Sequence, residues 1–221
     1  LDRLEPRTRI TAVCRFSGTE KDMSYVVAIA APIGGGKTSF VEALAEALGW
    51  AAAMHFDRYE VETKRPVSRL LQWMKDGADF SAFEAPNLAQ DLKALRDGRP
   101  VIDPLTRREV SPAKIILFEM PLGREHAETA PHIDFVIWID VPLDIALARK
   151  IREYIAWFRE EKNPDGWIWL DNFVANYLQV FREVLLLQGQ QVSSRADLVL
   201  DGTEAPEALL HQALEAIQQR T

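Results

Sequence analysis

A single cysteine, Cys14, in 221 residues excludes an internal disulfide, and with only four histidines beside it no zinc-ligand spacing can be assembled. This usage points to a reducing, cytoplasmic compartment. No apolar run reaches the roughly 18 residues that span a bilayer, and the charged opening, residues 1–9, has no signal-peptide hydrophobic stretch, so membrane and secreted readings fall away. Basic residues are in deficit, 26 against 33 acidic ones, and the net charge of −7 repels a phosphodiester backbone. Sequence-independent nucleic-acid binding is disfavoured. There is no internal repeat, no low-complexity tract and no Asn-Lys-x-Asp guanine motif, which leaves a GTPase without its base reader.

What is present is a chain 48% hydrophobic and long enough for one substantial core. Residues 1–22 show little periodicity and read as an appended leader, with the folded domain over 23–221. Tyr25 to Ala30 is a short, partly β-branched apolar run, as expected of a strand covered on both faces. Phe40, Val41, Leu44, Ala45 and Leu48 then recur at helical spacing and Gly49 stops the pattern. Further apolar runs at 50–56, 114–118, 135–139 and 196–200 alternate with helical stretches. Those stretches fall at 68–75, 88–96, 142–161, 170–187 and 206–220, with irregular chain expected between 100 and 113. Such alternation predicts an α/β fold with a five-stranded parallel sheet and helices on both faces.

Between the first strand and the first helix stands Ala31-Pro-Ile-Gly-Gly-Gly-Lys-Thr38, the context a Walker A loop requires. Glycines let backbone amides turn inward around a phosphate, and the helix N-terminus adds its partial positive charge. The pattern assigns Ile33, Gly34, Gly35, Gly36, Lys37, Thr38 and Ser39 to a nucleotide, Lys37 to its β- and γ-phosphates and Thr38 to Mg²⁺. Ala31 replaces the first glycine of the pattern. A glycine-rich turn with a surface lysine is the plainer alternative.

Asp57 and Glu119 close the second and third strand runs, where strand-end carboxylates face the crevice of a parallel sheet. Asp57 is a candidate general base or Mg²⁺ carboxylate, with a helix cap as the alternative; Glu119 is a candidate Mg²⁺ carboxylate. Asp140 ends the fourth run and fits a cap for the following helix. Arg149, Arg152 and Arg159 lie within about 80° of one another on that helix, an edge suited to closing over phosphates or to a solvated face. Arg124 and His126 could touch an acceptor or hold a loop, and Trp157, Trp167 and Trp169 could wall a pocket or pack in the core.

His55-Phe-Asp-Arg-Tyr59 resembles the Asp-and-Tyr segment of the uridine kinase family, which includes phosphoribulokinase and pantothenate kinase relatives. Asp79-Phe80, the stretch Asp91 to Val101 with Leu95 and Gly98, and Ile115-Ile-Leu-Phe-Glu119 follow that family's order. Leu147-Ala-Arg-Lys-Ile151 is similar to its arginine-rich lid helix, which makes Arg149 and Arg152 catalytic candidates beside Asp57 and Lys37. Gly202-Thr203 is similar to the loop that packs on adenine. The likeness runs from residue 25 to about 202. After Glu119 the chain departs, with Met120-Pro121 in place of the family's glycine, so a different acceptor loop is expected. The resemblance implies a P-loop NTPase fold, ATP and Mg²⁺ as cofactors, and γ-phosphoryl transfer to a nucleoside or sugar-like small-molecule acceptor. Homo-oligomerisation stays open. A nucleotide-hydrolysing switch or ATPase regulator acting through a protein partner is the alternative, although residues 58–113 and 119–133 are insertions of the kind an acceptor needs.

Overall fold

Every residue of β1 (Tyr25–Ala30) beyond its first is buried, and so is all of β5 (Ile115–Glu119), because each strand is sandwiched between helices on both faces. In this computed structural model, which describes residues 23–61 and 65–221, they pair in parallel at the centre of a five-stranded sheet. Residues 1–22, the expected leader, lie outside the described residues. The strand order is β2 (Ala51–His55), β5, β1, β6 (Phe135–Asp140), β7 (Leu198–Asp201), every pair parallel. The predicted five-stranded architecture is what the chain adopts.

Period-two alternation sorts the strand side chains onto two cores. Val27, Ile29, Ile115 and Leu117 pack with α1 (Lys37–Leu48) and α7 (Pro206–Gln218), whereas Val26, Ala28, Met54 and Phe118 pack with α3 (Leu88–Arg96). Glu119 and His55 continue the α1-facing series of their strands, and the register sets them opposite one another. Parity and register together therefore deliver both polar groups to the N-terminus of α1.

Several boundaries differ from the sequence reading. Residues 100–113 are not wholly irregular: β3 (Val101–Ile102) and β4 (Glu109–Val110) form a small antiparallel hairpin. Asp103 holds its turn by accepting from the Leu105 and Thr106 amides at 3.0 and 2.7 Å, and it pairs with Arg58. The last strand begins two residues later than expected, because Asp197 turns its carboxylate to the Val136 amide at 2.7 Å. The helix after α2 (Val67–Lys75), α3 and α4 (Leu143–Glu160) was expected over 170–187. Instead α5 (Gly166–Asn176) starts four residues earlier and passes through a π turn, Tyr177–Phe181, into α6 (Arg182–Ser193). The wider turn lets both Tyr177 and Val180 face inward. Among the described residues no helix is long and apolar enough to cross a membrane.

Candidate functional site

The loop between β1 and α1 is shaped by glycine. Gly34 and Gly36 adopt φ of 76° and 84°, and the Gly35 amide donates to the Pro32 carbonyl at 2.9 Å. A Cβ on Gly35 would stand 2.7 Å from the Ala31 methyl, so alanine at the loop's entrance is tolerated because residue 35 has no side chain. α1 has no side-chain cap and no acidic residue in its first turn, which leaves its amides directed at the loop. Lys37 spans the loop, its Nζ donating to the Ala31 and Pro32 carbonyls at 3.3 Å. Buried Gln188 on α6 donates to the same Ala31 carbonyl at 3.3 Å and to Pro121 at 2.7 Å. Thr38 and Ser39 follow on the exposed first turn of α1.

Gly34 also meets α4, where a Cβ would fall 2.0 Å from the Ala146 carbonyl oxygen. Gly34→Ala is expected to cost about 3 kcal/mol from the left-handed backbone and overpacking together, visible as a drop in Tm by calorimetry. An unchanged Tm would mean that the loop does not rest on α4.

Glu119 joins the loop to the strands. Its Oε1 accepts from Thr38 Oγ1 at 3.0 Å and its Oε2 lies 2.6 Å from His55 Nδ1, with the residue only 5% exposed. Burial pushes this carboxyl up, but the hydrogen bond from His55, the charge of Lys37 and the Thr38 bond outweigh it, and the net direction is down. Burial moves the Lys37 ammonium down, opposed by the charges of Glu119 and Asp57. Asp57 lies in the short 3₁₀ turn Phe56–Arg58 just past β2, and the turn is pinned by the Arg58–Asp103 pair and by Tyr59 Oη donating to Asp91 at 3.0 Å. Asp57 keeps exposed surface, yet crowding by protein raises its carboxyl, with Lys37 lowering it and Glu119 raising it further. Asp57 is not a helix cap; His55 occupies that position.

Thr38, Glu119 and Asp57 form an all-oxygen donor set beside a glycine cradle, which fits Mg²⁺, a hard cation that takes one or two carboxylates and completes its shell with phosphate and water. Among the described residues no group of three or more His, Cys, Asp or Glu could hold a metal by itself, so nucleotide oxygens would have to complete such a shell. Because the Glu119 carboxyl is depressed below its ordinary 4.5, its stabilising contribution is present above that value and is lost as pH falls through the lower folded value. Glu119→Gln should flatten that acid loss of Tm, measured by melting across the acid range; an unchanged loss would assign it to another group.

The arginine edge of α4 is divided. All three arginines are exposed, but Arg149 donates from both terminal nitrogens to the Gly202 carbonyl at 3.2 Å. Gly202 is buried where a Cβ would lie 2.3 Å from Val141. Lys150 is the α4 cation nearest the loop: a Cβ on Gly34 would be 3.2 Å from Lys150 Cβ, and its Nζ pairs with Glu153 at 2.6 Å and sits 4.8 Å from the Tyr154 ring centre. Asp140 does not cap α4, whose first residue follows Pro142; it accepts from Trp138 Nε1 at 3.1 Å.

A cleft of about 460 Å³ adjoins the loop. Ile33 lines it, with Arg65 and Pro66 just before α2, Val67, Arg69 and Leu70 at its start, Tyr154 of α4, Trp169, Asn172, Phe173 and Asn176 of α5, and the π turn and α6 beyond. Tyr154 stands edge-on to Trp169 at 4.4 Å between ring centres, and Trp169 is stacked parallel to Phe173 at 5.6 Å. Burial, followed by the charges of Glu153 and Asp57, pushes the Tyr154 hydroxyl up to about 12. Of the three tryptophans only Trp169 lines this cleft. All three are at least 42% exposed, so none is a core residue. His126 is buried with Nδ1 at 3.0 Å from Thr129 and Nε2 at 3.0 Å from the Phe83 carbonyl, and Arg124 bonds backbone carbonyls and Asp197, so both hold loops. His55, Lys150, Tyr154 and Gln188 were not singled out from sequence; of these only His55, at the end of its run, carried a readable signal.

A parallel sheet of this strand order, with a glycine-lined phosphate loop running from its central strand into a helix, defines a P-loop NTPase fold. No protein-family model matches the chain. In sequence it is similar to the uridine kinases of Yersinia pestis (strain Pestoides F) and of Yersinia pseudotuberculosis serotype O:1b (strain IP 31758). Each is 27% identical over 130 residues, 54% of this chain and 57% of the relative. The chain thus spans little more than half the length of the curated relatives it matches. Among solved structures it is similar to one described as "a Possible Uridine Kinase from Bacillus stearothermophilus", with a TM-score of 0.49 and 17% identity over 81% of this chain and 89% of that one. Shikimate kinase from Acinetobacter baumannii gives a TM-score of 0.41 and 16% identity over 90% and 96%.

Proposed function

We propose that this protein is a kinase that transfers the γ-phosphoryl group of ATP to a hydroxyl of a small molecule. The observation that carries the reading is the convergence of Lys37, Thr38 and Glu119 around the loop, with Asp57 beside them and a ligand-sized cleft opening next to the same loop. The curated uridine kinases support it and make a nucleoside the first acceptor to try.

In this reading loop amides and the end of α1 hold the β- and γ-phosphates, and Lys37 leaves its loop carbonyls to neutralise charge on them. Thr38, with Glu119 and Asp57 nearby, would hold Mg²⁺, which would supply charge neutralisation to the phosphates. Asp57 takes the proton of the acceptor hydroxyl as the acceptor oxygen forms its bond to the γ-phosphorus and the bond from that phosphorus to the bridging oxygen breaks. The products are ADP and a phosphate ester. Lys150, on the helix that Gly34 touches, is the α4 cation this reading assigns to the transferred group, whereas Arg149 would first have to leave the Gly202 carbonyl. A hydrolysing switch would have no use for the cleft. The test is ADP release with and without a panel of nucleosides, sugars and small alcohols, neutral and anionic. One acceptor raising the rate at least about tenfold is expected, and equal release across the whole panel would overturn the kinase.

A further inference from the structure

The walls of the cleft restrict what can enter it. Ile33, Val67, Leu70, Phe83, Phe181 and Leu185 contribute apolar surface, and Trp169, Phe173 and Tyr154 brace one another ring against ring, so this wall presents fixed aromatic faces. A bare polyol placed here would lose water from each hydroxyl with few partners to replace it. A flat ring would replace apolar wall hydration with ring contacts. The polar groups on this lining are few: Arg65 and Arg69 from the α2 segment, and Asn172 and Asn176, one helical turn apart on α5.

The two arginines are not equivalent. Arg65 already pairs with Glu84 at 2.8 Å. Arg69 has no ion pair among the described residues, and it faces the cleft of a chain whose net charge is −7. An arginine on a mostly apolar lining, with a planar fork of donors, matches a carboxylate or a phosphate. The two asparagine amides can meet a ring's carbonyl or nitrogen edge.

Resting on the kinase reading above, we infer that the acceptor is an anionic, ring-bearing alcohol: its ring lies on the Tyr154–Trp169–Phe173 wall, its negative group is held by Arg69, and its hydroxyl is the one that reading assigns to Asp57. Neutral nucleosides satisfy the ring but leave Arg69 without a partner, and simple sugars satisfy neither.

The test uses the full chain and matched probes, 4-(hydroxymethyl)benzoate and its neutral amide, with uridine and ribose as comparators. Binding is measured by calorimetry in the presence of MgADP, and turnover by ADP release from MgATP. The benzoate is expected to bind at least about tenfold more tightly than the amide, the scale of one charge-assisted hydrogen bond, and Arg69→Gln should abolish that preference while keeping the wild-type Tm. Trp169→Ala should weaken benzoate and amide alike. Equal binding of benzoate and amide, tighter binding of uridine or ribose, or a preference that survives Arg69→Gln would overturn the inference. ADP release accelerated only by uridine or ribose would overturn it while leaving the kinase standing. Arg69-dependent benzoate binding with no probe accelerating ADP release would overturn the kinase, and with it the acceptor role, but not the cleft's ligand class.

Discussion

Lys37→Ala is expected to release ADP at about a thousandth of the wild-type rate or less, because it removes the cation that the proposed mechanism sets against the β- and γ-phosphates. The fold should not suffer. Burial holds the Lys37 ammonium below its ordinary value of 10.5, so at neutral pH its charge is a cost to the nucleotide-free protein, and the alanine variant should melt no earlier than wild type. Its Tm gain on adding MgATP should shrink. Melting curves and steady-state ADP release together check the claim. A variant retaining a tenth of the rate would mean that loop amides alone supply the catalytic charge.

Asp57→Asn should lower acceptor phosphorylation by at least about 10²-fold, the contribution of a positioned base, while nucleotide affinity changes little. The pH dependence carries the sharper signature. The Asp57 carboxyl is raised above 3.8 by burial first, and a protonated carboxyl cannot accept the acceptor's proton, so wild-type kcat/KM should fall as pH drops through that raised value. The asparagine variant should lack this acid limb. The same raised value means that ionised Asp57 costs stability above its unfolded pKa, so Asp57→Asn should hold or raise Tm at neutral pH. Lower activity with an intact acid limb would assign the limb, and the base, to another group.

The loop and the sheet were legible because each rests on local rules. Gly34 and Gly36 need left-handed backbone, and apolar runs between helical stretches leave few ways to form a sheet. Parity also placed Glu119 at the edge of a buried strand. Other features depend on distant partners. Asp140 looked like a cap because Pro142 follows it, yet the Trp138 indole claims its carboxylate. Arg149 and Arg152 share a helical edge, but only Arg149 finds a buried carbonyl to grip. The partnership of His55 with Glu119 joins residues 64 apart and becomes visible only with the β2–β5 register. The cleft draws on at least four separate segments, and the π turn that shapes one wall has no signature in a single sequence.

The Ala31 carbonyl accepts from Lys37 on one side and from Gln188 on the other, and that second tether is expected to govern how fast a nucleotide loads. When Lys37 departs toward a phosphate, Gln188 still grips the backbone, so the loop keeps its curvature without nucleotide and little chain entropy is lost when one arrives. Capture by such a pre-shaped loop is a matter of encounter rather than of searching for the right conformation. Cutting the tether, as in Gln188→Leu, would leave the pocket's chemistry in place and slow the association rate constant, the part of affinity that pre-shaping governs here.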